Sequence, residues 1–178
     1  MIVPMFPLQS ALLPGESLPL RIFEPRYARL VQDCLGAAEP EFGVVLISRG
    51  SEVGGDDARS DVGALARIVH HVDLGDGQYE LLAQVGDRLR VRSWLPDDPY
   101  QRMARARGGQ LRPDLLAVDP ETAADPGRHL YALAARVPMG QADRYAVLAA
   151  PTLAARVDVL LDAIATVTAM VEFQLSAD

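Results

Sequence analysis

The chain contains no lysine and no asparagine, and it has one cysteine. All seventeen of its basic residues are therefore arginine. Each absence removes a class of chemistry. Without lysine there is no P-loop phosphate lysine, no Schiff base, and no Ser–Lys or kinase-type catalytic pair. Without asparagine a papain-like Cys-His-Asn set is excluded. With Cys34 alone, no internal disulfide can form, and a reducing cytoplasm is the expected setting. No run is long and apolar enough to span a bilayer. Pro4, Pro7, Pro14 and Pro19 interrupt the N-terminus and the first arginine is Arg21, so no secretory signal pattern is present.

What is present describes a packed protein. The 178 residues are 49% hydrophobic and 23% charged, enough for one sizeable domain or two small ones. The net charge of −7 argues against a general polyanion binder.

The stretch from Leu18 to Tyr27 organises the first half. Leu18, Leu20 and Ile22 alternate with Pro19 and Arg21, the period of a half-buried strand. Phe23, Tyr27, Leu30, Val31 and Cys34 then follow helical spacing, which predicts an amphipathic helix to about Gly36. Pro25 suits the first turn and makes Glu24 the N-cap, expected to be partly buried against backbone N–H groups or an arginine. Gly36 is the expected stop.

Before this stretch, residues 1–13 read as short irregular strands at a sheet edge. After it, Phe42 to Ile47 is apolar on both parities, as in a central strand. Residues 48–61 read as a polar, glycine-rich loop. Ala64, Ala66, Ile68 and Val72 lie on a further strand, and Asp76-Gly77 before Tyr79 to Val85 signals a hairpin. Gly86-Asp87 reads as another turn, followed by a strand with Leu89 and Val91 opposite Arg88, Arg90 and Arg92. Residues 102–107 give a last short strand. From Ala123 the chain is alanine-rich, with helical patterns over 125–137, 141–149 and 151–175. The division is expected near 115, with a β-rich domain over 1–115 and a helical bundle over 116–178. Leu153, Val157, Leu160, Ile164, Val167 and Val171 form an a/d seam, expected to pack within the chain in preference to making a dimer.

Catalytic and metal chemistry find little support. His70 and His71 are neighbours on a strand, where successive side chains point to opposite faces, and no His-x-x-x-His or Glu-x-x-His spacing occurs. No Gly-x-Ser-x-Gly elbow is present. Cys34 sits on the apolar helix face and reads as a buried structural thiol. Arg88, Arg90 and Arg92, with Arg105 and Arg107, form an arginine ladder. It reads as a solvent-facing set balanced by acids, with a nucleic-acid site as the rival and an Arg88–Glu24 pair as a further option.

These residues resemble the Lon protease N-terminal, substrate-binding domain family. The resemblance is carried by Phe6-Pro7-Leu8, Leu13-Pro14-Gly15, the whole of Leu18 to Tyr27, Phe42 to Ile47, Glu52-Val53-Gly54, Val62-Gly63, Asp76-Gly77 and Gly86 to Val91. It implies an α+β fold, a PUA-like pseudo-β-barrel followed by an α-helical bundle. It also implies recognition of unfolded or extended polypeptide, no catalysis and no cofactor. The chain ends at Asp178 and lacks lysine, so no ATPase or protease module is expected in it, although either could be a separate partner. Arg21, Glu24, Arg26, Arg88 and Arg90 are the candidate polypeptide-binding residues, on a groove between the β-rich and helical parts. A monomer or weak dimer, with no membrane partner, is expected. An RNA-binding module using Arg88, Arg90 and Arg92 is the alternative, and a hydrolase a more distant one.

Overall fold

Strand β3 (Glu41–Arg49) holds the centre, with β1 (Ile2–Leu8) parallel on one side and β4 (Ala58–Gly75) antiparallel on the other. A computed structural model of the chain describes residues 2–49, 58–95, 103–108 and 125–176. The remaining elements are β2 (Ser17–Ile22), α1 (Pro25–Leu35), β5 (Gln78–Trp94), β6 (Met103–Gly108), α2 (Pro126–Ala134), α3 (Gln141–Ala149) and α4 (Leu153–Ser176). The strand order is β2-β5-β4-β3-β1-β6, and β6 also pairs with β5. The pairings thus return to β5, giving a pseudo-barrel in which β2 is added to the first half of β5, from Ser17↔Gln84 to Ile22↔Tyr79. The architecture is α+β.

Three local expectations change. The N-terminal segment is a strand with two neighbours. It pairs with β6 over Ile2–Pro4 and with β3 over Met5–Leu8, so each half uses one edge and the prolines interrupt no shared ladder. Gly86-Asp87 is no turn. Strand β5 runs straight through it, and between Ala64↔Arg88 and Ala66↔Val85 the register slips by one residue, the signature of a bulge. Residues 58–61, expected in a loop, are the start of β4. The Asp76-Gly77 hairpin stands as expected. Both residues have positive φ (51° and 72°), as a two-residue connection with matching twist requires.

One face of β1 and β3 carries Phe6, Leu8, Phe42 and Val44 and is covered by Tyr27, Leu30, Val31 and Cys34 of α1. Phe6 stacks on Tyr27 at 4.0 Å between ring centroids. The other face carries Val3, Met5 and Val45 and packs against Leu89 and Val91 of β5. Phe23, expected in the α1 stripe, is instead 68% exposed. Glu24 is extended (φ −85°, ψ 132°), so Phe23 precedes the helix and keeps the parity of β2, in which Pro19 and Arg21 point outward. Gly36 caps α1 in the right-handed region, φ −78°, so it makes no left-handed stop.

The helices follow the expected bounds closely, while the 115/116 boundary lies outside the described residues. Asp125 caps α2 by accepting from the Gly127 N–H at 2.9 Å, with Pro126 in the first turn. The helical core of Tyr131, Ala134, Met139, Val147, Leu148, Leu160 and Ala163 takes in Leu13 and Val62 from the β-rich part. The inward stripe of α4 is Arg156, Leu160 and Ala163, with Val167 half-buried. Leu153, Val157, Ile164 and Val171 of the expected seam are exposed, so only Leu160 and Val167 of it pack within the chain.

Gly63 separates two tightly packed strands. A Cβ there would overlap the Val44 carbonyl oxygen and lie 2.7 Å from Val45 Cγ1, whereas at Gly43 it would meet the movable Met5 side chain. Gly63→Ala is expected to cost about 2–3 kcal/mol, and Gly43→Ala less. Urea midpoints of the two variants check this, and equal losses would contradict it.

Candidate functional site

Of the five candidate residues, Glu24 and Arg26 form one pair. Glu24 Oε2 lies 2.7 Å from Arg26 Nη2, with both side chains about three-quarters or more buried. The Arg26 guanidinium also lies 4.6 Å from the Tyr27 ring centroid. Glu24 makes no side-chain cap, and its backbone carbonyl accepts from Tyr27 and Ala28 instead. The arginine alternative of the sequence reading is the one realised.

Arg88 and Arg90 point to the helices. Pro151 disfavours a helical conformation at the residue before it, and Ala150 accordingly leaves α3 with ψ 124°. The freed carbonyls of Leu148 and Ala150 both accept from Arg88 Nη1, at 3.0 and 2.5 Å. Arg88 therefore bonds α3 and is not the partner of Glu24. Arg90 pairs with Asp61 at 2.9 Å, and Asp61 also accepts from the Tyr145 hydroxyl at 3.1 Å.

Sequence reasoning missed the strongest of these bridges. Arg144 of α3 donates to both oxygens of Glu16 at 2.5 and 2.6 Å and to the Ala11 carbonyl at 3.0 Å. Glu16 in turn accepts from Leu13 N–H, and Gln141 Oε1 accepts from Ala11 N–H, each at 2.7 Å. Apart from Leu13 and Glu16, the partners are more than a hundred residues apart, and no local pattern marks them. Where the groove was expected, these contacts and the shared core join the two parts.

Arg21 stands elsewhere. The outward positions of three paired strands align as Pro19, Leu82 and His70, then Arg21, Glu80 and Val72. Phe23 and Leu74 continue the same parity toward the hairpin. Phe23, Val72, Leu74 and Leu82 are all large, apolar and exposed. Strand β2 ends the strand order, so its outer edge is unpaired among the described residues. The result is a sheet face on which Phe23, Val72, Leu74 and Leu82 stand among Arg21, Glu80 and His70, beside an open edge.

No alternative chemistry gathers here. His70 and His71 pair with Leu82 and Leu81, on opposite faces. Among the described residues no His, Cys, Asp and Glu cluster fits a metal ion, and no helix is long and apolar enough to cross a membrane. Burial, aided by the Asp33 charge, pushes the Cys34 thiol up to about 12, and its Sγ donates to the Glu41 carbonyl at 3.2 Å.

The family described as the ATP-dependent protease La (LON) substrate-binding domain matches residues 2–108. The chain belongs to this family. It is 34% identical to Lon protease 2 of Sorangium cellulosum (strain So ce56), over 56% of this chain and 13% of that protein. It is 31% identical to the Lon protease of Anaeromyxobacter dehalogenans (strain 2CP-C), over 56% of this chain and 12% of that protein. The match thus spans about an eighth of these relatives. Among solved structures, a Lon N-terminal domain protein from Xanthomonas campestris superposes with a TM-score of 0.69 at 30% identity, covering 91% of this chain and 98% of that one. The N-terminal domain of Mycobacterium avium complex Lon protease gives 0.65 at 13% identity, over 93% and 98%, a likeness of fold. The Lon-domain resemblance and its PUA-like, α+β architecture are thereby established.

Two outcomes follow. Arg144→Ala leaves the part-buried Glu16 carboxylate with the Leu13 N–H but no cation and should lower stability by about 2–3 kcal/mol, read from the urea midpoint; an unchanged midpoint would remove this bridge from its role. Cys34 should react slowly with a thiol reagent at pH 8 until denaturant is added. Its folded pKa exceeds the unfolded value of about 8.5, so its contribution to stability is full below that pH and is lost as pH rises toward about 12. Fast native labelling would contradict the burial.

Proposed function

We propose that this protein is a non-catalytic, cytoplasmic polypeptide-recognition module that binds unfolded or extended segments of client or partner proteins. The segment lies along the outer face and open edge of β2, β5 and β4. The observation that carries the reading is Phe23, a large apolar side chain held in the open beside Arg21, Val72, Leu74 and Leu82. An unpaired edge strand can accept an extended backbone, and alternate side chains then meet the apolar face. Membership in a substrate-binding family supports the same reading, as do the Lon proteases among the relatives. Arg21 offers a guanidinium fork to passing carbonyls, and the Glu24–Arg26 pair fixes the chain just behind Phe23. Arg88 and Arg90 contribute indirectly by holding the helices. Transfer of clients to a separate protease or ATPase extends this reading.

The rival nucleic-acid reading relied on Arg88, Arg90 and Arg92. Arg88 is bonded to two carbonyls and Arg90 to Asp61, which leaves Arg92 to carry it. Salt separates the two, because phosphate contacts weaken steeply with salt and apolar contacts persist.

A fluorescently labelled, reduced and alkylated polypeptide that cannot refold should bind with similar affinity between about 50 and 200 mM salt. Phe23→Ser and Leu82→Ser should each weaken binding by about 1–2 kcal/mol while Arg92→Ala changes little. Full binding by both serine variants, or RNA binding lost with Arg92→Ala, would overturn the proposal.

A further inference from the structure

The open edge of β2 presents its backbone groups in a fixed order, and that order narrows the class of client. The Glu16 carbonyl accepts from the Val85 N–H at 2.8 Å, so Glu16 faces β5. Backbone groups alternate in direction along a strand. Leu18, Leu20 and Ile22 therefore turn theirs to β5, and Ser17, Pro19 and Arg21 turn theirs to the open edge. This edge carries the carbonyls of all three but the N–H groups of Ser17 and Arg21 only, because proline has none. The side chains of Pro19 and Arg21 stand exposed on the outer face, followed by Phe23. On the inner face Leu20, between buried Leu18 and Ile22, is only half-buried where it packs on the core.

We infer that this edge takes an extended apolar segment of a client as an added strand, with an acidic residue opposite Arg21; the inference rests on the client-binding role of the same face. Backbone donors and acceptors spaced at strand period are met together by another extended backbone. A second copy of β2 is the poorer partner. Paired about a two-fold axis it meets the missing Pro19 N–H twice, and the register centred on Arg21 also brings two guanidiniums together. A foreign strand meets that gap once. Charge selects the central residue. Among the described residues Arg21 makes no ion pair, even with Glu80 across from it in β5. A carboxylate on the client residue opposite Arg21 approaches from the side away from Glu80, and a planar fork with five donors can serve an acid on each side. Two residues to either side, the client meets Pro19 and Phe23 on the outer face, and the residues between point inward beside Leu20 and Ile22. The class recognised is thus an apolar extended stretch interrupted by one acid on the outer parity.

The probe is a labelled, end-capped peptide, Ser-Val-Ile-Glu-Ile-Val-Ser, which reads alike in both directions and so fits either strand polarity. It should bind the full chain. N-methylation of one alternate set, the glutamate with both valines or the two isoleucines, should abolish binding, while methylation of the other set leaves it within a few-fold. Lysine in place of the glutamate should weaken binding by about two- to fivefold at low salt, and Arg21→Glu should invert that preference. Equal effects of the two N-methylated sets, or a preference indifferent to Arg21→Glu, would overturn the inference. Binding of the alkylated unfolded polypeptide that excess peptide does not displace would overturn it while client recognition stands; failure of polypeptide and peptide alike would remove both. A chain that dimerises, with the dimer dissociated by the peptide, would assign the edge to a second copy and overturn it as well.

Discussion

The structure depends on the closing of two carbonyls by one guanidinium. Pro151 takes Ala150 out of helical geometry and leaves the end of α3 with carbonyls that no further helical N–H can reach. Arg88 supplies the donors from β5, and it stands next to the Gly86-Asp87 bulge that sets its register. With Arg144 gripping Glu16 at the other side of α3, the helices are attached to the β-rich part by directional bonds as well as by the shared core of Leu13 and Val62. Loss of one bond would not only cost its own energy; it would also leave buried acceptors unpaired.

The absence of lysine acquires a structural meaning in this light. The contacts of these arginines use properties that an ammonium lacks. Arg144 reaches two carboxylate oxygens and a carbonyl with a planar fork. Arg26, Arg59 and Arg156 lie over Tyr27, Trp94 and Tyr131 at 4.6, 4.7 and 4.2 Å. What resembles an arginine ladder along β5 is in part a set of struts, and the acidic net charge is no obstacle to it.

Much of this was legible in the sequence where one period governs a segment. Tyr27, Leu30, Val31 and Cys34 face the core, β3 is central, and the three C-terminal helices start and stop where their caps and prolines direct. The reading failed where two signals compete for one residue. Phe23 satisfies the helical spacing of α1 and the alternation of β2 equally, and the extended Glu24 decides for the strand. Gly86-Asp87 has the composition of a turn, yet paired strands on both sides of β5 absorb it as a bulge. The engagement of the candidate arginines was hidden for a different reason. Which arginines are engaged depends on Glu16 and on α3 carbonyls far away in sequence, and no local pattern encodes that.

The orientation of α4 shows how one polar residue can set an apolar surface. Rotating the helix to bury Leu153, Val157 and Ile164 would satisfy the simplest heptad reading, and it would expose Arg156. Arg156 is instead buried on the Tyr131 ring, with Nε 3.4 Å from the Val147 carbonyl. Burial pulls its pKa below the ordinary arginine value, while the nearby Tyr131 and Asp125 favour its charged form. It thereby joins α4 to the ring on α2 and the end of α3 at one point. A guanidinium held on both α2 and α3 defines the rotation of its helix more sharply than interchangeable aliphatic side chains could. The outward turn of Leu161, Ile164 and Val171 is the consequence: the contact that fixes the bundle is also the one that leaves an apolar seam on its surface.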